Sequence, residues 1–473
     1  MSDQNPAPSQ RTFRDPAGSI EIRPDGAYRQ VNPAYASDAL AFLGRPIASR
    51  LVSAGHLISS TVLEAASEQD SQSLQLQHPR VSFASYPWEW TPALWLSAAE
   101  LTLNLCSDLL KEGWILKDAT PLNVLFQGVQ PVFVDVLSIQ RADLKQPIWF
   151  AYGQFVRTFL LPMLAHSRLG WPLQVALSRR DGFEPEEIYS ALSWTQRLQQ
   201  PALSAVTLPI LLSRRATRDA TPPSGATLMP RTLADPEVVR QILLKTLSGL
   251  RSRMQRVTPS QRSSTWSDYV NTANHYTSED HAAKRDFVRD ALAVAQPARV
   301  LDVGCNTGVY SMLAAEAGAE VVSIDTDMQA VDRLCTALKG TGKNILPLCV
   351  DLAHPTPAAG WQNRETHSFL ARASGHFDTV MMLAVLHHLL LQSQIPLSHI
   401  ASLCSTLTTR NLILEWVPPQ DSMFQQLVRG RDALYAHITE DAFREAFAPH
   451  FTILREVTLP NRRILFHFTN RVE

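Results

Sequence analysis

The stretch from Arg299 to Ser311, Arg-Val-Leu-Asp-Val-Gly-Cys-Asn-Thr-Gly-Val-Tyr-Ser, constrains the fold more than any other part of this 473-residue chain. A short apolar run, Val300 to Val303, is interrupted only by Asp302. Gly304 and Gly308 follow, and a helical pattern then continues through Met312, Leu313 and Ala315. The stretch therefore predicts a strand, a tight glycine turn and a helix. Gly304 can take backbone angles closed to other residues and lets a ligand approach the main chain. The start of the helix offers unpaired N–H groups at the positive end of its dipole. The spacing is neither that of a Walker phosphate loop nor that of the dinucleotide fingerprint Gly-x-Gly-x-x-Gly.

Later runs repeat the same grammar. Glu320 to Ile324 ends in Asp325, and Asn344 to Val350 is closed by Asp351-Leu352. Phe377 to Leu383 leads into Ala384-Val385-Leu386-His387-His388-Leu389, and Asn411 to Trp416 carries Glu415. Asp302-x-Gly304-x-x-x-Gly308, followed by these strand ends, resembles the motif set of class I S-adenosylmethionine (SAM)-dependent methyltransferases, over residues 266–473. The resemblance implies an α/β fold with a seven-stranded Rossmann-like sheet, closed by strands at Phe451 to Leu459 and Arg463 to Phe468. It implies SAM contacts from Asp302, Gly304, Cys305, Asn306, Gly308, Asp325, Asp351 and Leu352. Asp325 would accept from the ribose hydroxyls, by the logic of dinucleotide folds, and Asp351 would meet the adenine amino group. The catalytic candidates are Glu415 and His387. Glu415 either orients or deprotonates the acceptor or satisfies buried backbone, while His387 and His388 either serve the site or pack. Ahead of the core, Trp266, Tyr269, His275 and Tyr276 form either a pocket lid or an aromatic pad, with Tyr276 the candidate for the pocket.

The second informative stretch is Leu116-Lys117-Asp118-Ala119-Thr120-Pro121-Leu122-Asn123, after a helix carrying Leu96, Leu101, Leu105, Leu109 and Leu110 at helical spacing. Asp135 ends the next apolar run, Pro131 to Val134. Asp118, Asn123 and Asp135 resemble the catalytic and metal-binding loops of the kinase fold, in its small-molecule phosphotransferase form, over residues 15–212. There the first Asp orients the acceptor hydroxyl, and the Asn and last Asp hold magnesium on ATP. The departures lie elsewhere. Leu116-Lys117 replaces the usual His-containing lead, and Val136-Leu137 follows Asp135 instead of Phe-Gly. The segment Gly18 to Val31 has no glycine-rich loop, and no strand Lys with a Glu partner stands out. The resemblance implies an N-terminal α+β kinase-like domain that binds or docks substrate. An active lobe using Mg-ATP, held through Asn123 and Asp135, would make the chain a bifunctional kinase-methyltransferase. In a third reading the three residues organise a turn.

The expected organisation is a disordered tail at 1–12, a kinase-like domain at 13–212, a linker at 213–234, a bridging helix at 235–265 and the methyltransferase domain at 266–473. Pro24-Asp25-Gly26 marks a hairpin, and Arg80 to Tyr86 reads as a strand. Arg214, Arg215 and Arg218 read as solvated linker charges. Val238, Ile242, Leu243, Leu247 and Leu250 form one helical face, expected at a domain interface. A hydrophobic content of 45%, a charged content of 18% and a net charge of −1 describe a soluble globular protein with no bulk attraction to nucleic acid or membrane. Cys106, Cys305, Cys335, Cys349 and Cys404 include no Cys-x-x-Cys pair, so neither a disulfide framework nor a metal site is expected, and a reducing cytoplasm fits. No signal pattern or membrane-length apolar run stands out. The reading is a cytoplasmic methyltransferase acting on a small-molecule acceptor, with a non-catalytic ligand-binding scaffold as the rival from another class. The acceptor, its reacting atom and the oligomeric state leave no signature in these residues.

Overall fold

The structure, a computed structural model, describes residues 12–63, 74–219, 233–259 and 278–471. Residues 1–11 of the tail expected at 1–12, and the aromatic segment with Trp266, Tyr269, His275 and Tyr276, lie outside the described residues. The chain forms two compact units, Met1–Phe126 with Gln130–Ser260, and Gln127–Val129 with Gln261–Glu473.

In the N-terminal unit, β1 (Gly18–Arg23) and β2 (Gly26–Val31) pair antiparallel across the Pro24-Asp25 turn. With β3 (Thr61–Leu63) and β4 (Leu74–His78) they form a four-stranded sheet in the order β1-β2-β4-β3. The strand expected at Arg80 to Tyr86 is absent: that segment is irregular, and β4 precedes it. Its alternating burial serves side chains instead. Phe83 and Ser85 are buried, and Ser85 accepts from Trp90 Nε1 at 3.0 Å. Short strands follow at β5 (Trp114–Leu116), β6 (Val124–Gln127), β7 (Gln130–Phe133) and β8 (Ile139–Arg141).

The helix Pro92–Lys111 starts at Thr91, whose hydroxyl accepts from the Leu94 N–H at 3.4 Å, the usual way an N-cap satisfies an orphan donor. It packs against the helix Pro236–Val257 inside this unit. This corrects the bridging-helix expectation. The buried stripe is Val239, Leu243, Leu247, Leu250, Met254 and Val257, while Val238 and Ile242 are 46% and 38% exposed. Two overlapping apolar stripes run along this helix, and only packing decides between them. The linker expected from Ser213 is likewise helical at its start, because the helix Leu208–Asp219 runs through it.

The C-terminal unit is built on a seven-stranded sheet. Its strands are β9 (Arg299–Val303), β10 (Glu320–Asp325), β11 (Ile345–Cys349), β12 (Phe377–Met382), β13 (Thr408–Trp416), β14 (Phe451–Thr458) and β15 (Ile464–Asn470). The order is β11-β10-β9-β12-β13-β15-β14, with β9 to β13 parallel and β15 antiparallel to both neighbours. Helices cover both faces, so the parallel strands are buried on both sides, which explains their nearly continuous apolar runs. From β9 the chain proceeds to one side, and with β12 it returns to the other. The carboxyl ends of β9 and β12 therefore form the topological switch point, where ligands bind in open α/β sheets. No described helix is long and apolar enough to cross a membrane.

Candidate active site

The glycine loop leaves β9 by folding onto the next strand. The N–H groups of Gly304 and Cys305 both donate to the Ile324 carbonyl, at 2.8 and 3.1 Å. Gly304, Asn306 and Gly308 have φ of 72°, 49° and 83°, in the left-handed region. A Cβ on Gly304 would lie 2.2 Å from Val385 Cγ2, and one on Gly308 would lie 2.4 Å from Leu334 Cδ1. These two positions therefore need glycine for both conformation and space. Val385 follows β12, so the two loops of the switch point meet here. Ala384, just before it, has a φ of 57°, a left-handed value that is costly for a residue with a Cβ.

Asp325, at the end of β10, accepts from the Asn306 N–H at 2.8 Å through Oδ2 and from the Asp327 N–H at 2.9 Å through Oδ1. Burial raises its pKa above the usual carboxylate range, while those N–H bonds oppose the shift. Each oxygen keeps a further lone pair. Asp302 is placed differently from the expected contact. It is 2% exposed and its Oδ2 accepts from Ser311 Oγ at 2.6 Å, with Ser323 Oγ donating in turn to Ser311 at 2.8 Å. Burial pushes the Asp302 carboxyl up to about 6. Cys305 is buried, which raises its thiol pKa. Asp351 accepts from the Ala353 N–H at 2.8 Å and contacts His354 Nδ1 at 2.9 Å, while Leu352 is buried beside it.

His387 lies in the helix Leu386–Leu391 after β12 and is 3% exposed. Its Nδ1 has no hydrogen-bond partner among the described residues. Its ring centroid is 4.2 Å from that of His388, whose Nδ1 contacts Gln392 Oε1 at 3.0 Å. Burial, then the neighbouring His388 and Arg463, hold His387 well below the ordinary histidine range, so it is neutral near pH 7.

Glu415 is not the open carboxylate that a general base requires. It is fully buried, its Oε2 lies 2.6 Å from Lys284 Nζ, and its Oε1 lies 3.4 Å from Arg463 Nη1. Arg463 also pairs with Asp421 at 2.8 Å, and Lys284 Nζ lies 5.0 Å from the centre of the Tyr310 ring. This network joins the end of β13 to the helix Val309–Glu316 that follows the glycine loop. Sequence reasoning missed Lys284 and Arg463 as members, because their partners are far away along the chain.

Residues 274–448 match a family described as a methyltransferase domain. Along almost its whole length the chain is similar to the nodulation protein NoeA of Rhizobium meliloti (strain 1021), 29% identical over 468 residues that cover 97% of this chain and 95% of that protein. The protein is a SAM-dependent methyltransferase. Among solved structures, the methyltransferase is similar to the N-methyltransferase NodS of Bradyrhizobium japonicum WM9, with 14% identity and a TM-score of 0.30 over 41% of this chain and 97% of that one. It is also similar to the magnesium protoporphyrin IX methyltransferase of Synechocystis PCC 6803, with 20% identity and a TM-score of 0.31 over 47% and 94%. The glycine loop, where a Cβ would fill the space at positions 304 and 308, and the strand-end carboxylate of Asp325 together fit SAM.

In the methyltransferase's N-terminal unit, Asp118, Asn123 and Asp135 are each half-buried. Asn123 Nδ2 donates to Ser138 Oγ at 3.2 Å, and Ser138 Oγ donates to Asp135. Asp135 Oδ1, however, is paired with Arg29 Nη1 at 2.8 Å, and Arg29 is 4% exposed. Arg29 Nη2 also donates to the Val134 carbonyl at 3.3 Å. An internal guanidinium thus holds the carboxylate to which the kinase resemblance assigned magnesium. Burial, with a further push from Asp135, raises the Asp118 pKa.

Proposed function

We propose that the enzyme transfers the methyl group to a small-molecule acceptor at the carboxyl ends of β12 and β13, and that the Gly304–Gly308 loop and Asp325 hold SAM. The observation that carries this reading is the meeting of Gly304 and Val385, with no room for a Cβ, beside a strand-end carboxylate. Cys305 and Asn306 shape the loop, Asp302 braces it from beneath through Ser311, and Asp351 with Leu352 serves the adenine side. When bound, SAM supplies an electrophilic methyl carbon on a positively charged sulfur. The chain's main contribution is alignment of the acceptor, worth several orders of magnitude in rate. His387 takes the proton that the acceptor gives up, because its neutral imidazole carries a lone pair and its Nδ1 has no partner among the described residues. Glu415 acts through position, fixing the end of β13 by its ion pairs.

The N-terminal unit serves as a substrate-binding or docking lobe. The Arg29–Asp135 pair favours this over a bifunctional kinase-methyltransferase. The test incubates the purified full chain with methyl-labelled SAM and extract of its source organism, and sorts the label. Label in small molecules is the expected result. Label confined to protein or RNA overturns the acceptor class, and failure of SAM to bind overturns the assigned holding site.

A further inference from the structure

A cavity of about 380 Å³ opens beside the carboxyl end of β13, against the segment from Pro418 to Glu440. Its size lies within the range of small-molecule sites, roughly 300–1,000 Å³. Trp416, Pro418, Phe424 and Tyr435 supply flat apolar wall, and Gln425 and Thr439 supply polar groups. Trp416 is 1% exposed and stacks on Phe443 at 4.8 Å. No Lys, Arg or His lines the cavity among the described residues, whereas Asp432 and Glu440 do. Glu440 shares its charge with Arg444 at 2.7 Å, and Asp432 is exposed. The rim therefore opposes an anion.

The cavity is also tied to the helix that carries His387. Tyr435 Oη and Arg431 Nη2 both donate to the carbonyl of Leu391, the last residue of that helix, at 3.4 and 3.3 Å. The helix Ser422–Val428, which supplies Phe424 and Gln425, packs against the same helix.

We propose that this cavity seats the methyl acceptor and selects a neutral, hydroxyl-bearing ring compound over its anionic counterpart. The proposal rests on the methyl-transfer reading above. The ring lies on the aromatic wall, as apolar faces do, and one ligand hydroxyl meets the Gln425 amide. Side-chain amide and hydroxyl groups serve the remaining hydroxyls.

The test uses a matched pair of probes, 4-nitrophenyl β-glucoside and 4-nitrophenyl β-glucuronide, which differ by one carboxylate. Binding to the full chain is read by calorimetry and ligand-observed NMR, without SAM. The glucoside is expected to bind at least about tenfold more tightly than the glucuronide. Ala436 lies exposed on the cavity wall, so Ala436→Trp plugs the space without disturbing the core. It is expected to weaken the glucoside at least about tenfold and leave SAM affinity unchanged. Asp432→Lys should narrow the gap between the probes. Equal affinities, no glucoside binding, or an Ala436→Trp variant that binds it normally would each overturn the proposal. A separate SAM titration reports on the methyl-transfer reading, so the two failures are distinguishable.

Discussion

The ammonium of Lys284 lies 2.6 Å from a carboxylate oxygen of Glu415, across 131 positions of sequence, with the two side chains 6% and 0% exposed. A buried pair of this kind adds little net stability over an apolar pair, but breaking it strands a charge in the interior, at a cost of about 3–5 kcal/mol. Lys284→Met should therefore lose about that much in urea denaturation, and adding Glu415→Gln should recover part of it. A single variant that unfolds like the wild type would remove the positioning role of the network.

Asp325 makes charge-assisted hydrogen bonds at the point where the ribose is proposed to sit. Such bonds contribute about 1.5–3 kcal/mol, so Asp325→Ala should weaken SAM roughly 10- to 100-fold in calorimetry. Asp325→Asn, which keeps acceptor capacity on one atom, should fall between. Unchanged SAM affinity in the alanine variant would mean that the ribose is held elsewhere.

For His387 the expected signature is a fall in kcat of about 10²- to 10⁴-fold in His387→Phe, with SAM affinity preserved. Burial holds the imidazole neutral well below the ordinary histidine range. The acid limb of the wild-type kcat profile should therefore begin below pH 6.5 rather than at it. A limb centred at or above pH 6.5 would assign the proton to another group.

His78 provides a pH test of stability in the N-terminal unit. It is 3% exposed, and burial, then Arg29, lowers its pKa to about 4, while Nδ1 meets the Ser59 carbonyl and Ser60 Oγ at 3.0 and 3.1 Å. The unfolded chain takes up a proton near pH 6.5 and the folded chain only near 4. The stability this supplies is present above 6.5 and lost as pH falls toward 4, about 3 kcal/mol in all. Asp302, raised to about 6, works in the opposite direction over part of that window: its contribution is present at low pH and lost as pH rises through 6. The comparison is therefore between wild type and His78→Phe, by urea denaturation at pH 7, 5.5 and 4.5. The acid-dependent loss in the wild type should exceed that in the variant by roughly this amount.

Arg29 occupies the carboxylate that a magnesium-bound nucleotide would need. Calorimetry of ATP with and without magnesium on the full chain should show no magnesium-dependent binding. Saturable magnesium-dependent heat would reopen the phosphotransferase reading.

The strands of the C-terminal sheet were legible because their signals are local. Val300 to Val303, Glu320 to Asp325 and Phe377 to Met382 are apolar runs closed by polar or glycine residues, and each is a strand of the parallel sheet. The β1–β2 hairpin was legible in the same way from its turn. Where two local patterns competed, sequence reasoning failed. Val238 and Ile242 fit a helical stripe as well as Val239 and Leu243 do, and the packing partner selects the second. Arg80 to Tyr86 alternates like a strand but pairs with no strand among the described residues.

The sequence by itself determined the identities and spacings that demand a glycine loop at 304–308 and acids at strand ends, because backbone sterics and periodicity act within a few residues. Only the tertiary structure decided what those side chains do. It turned Asp302 inward to Ser311, tied Glu415 to Lys284 and Arg463, and set Arg29 on Asp135. It also left Trp416 beside a cavity. Charge pairing and burial depend on distance in space, and the chain brings together residues separated by more than a hundred positions only when it folds.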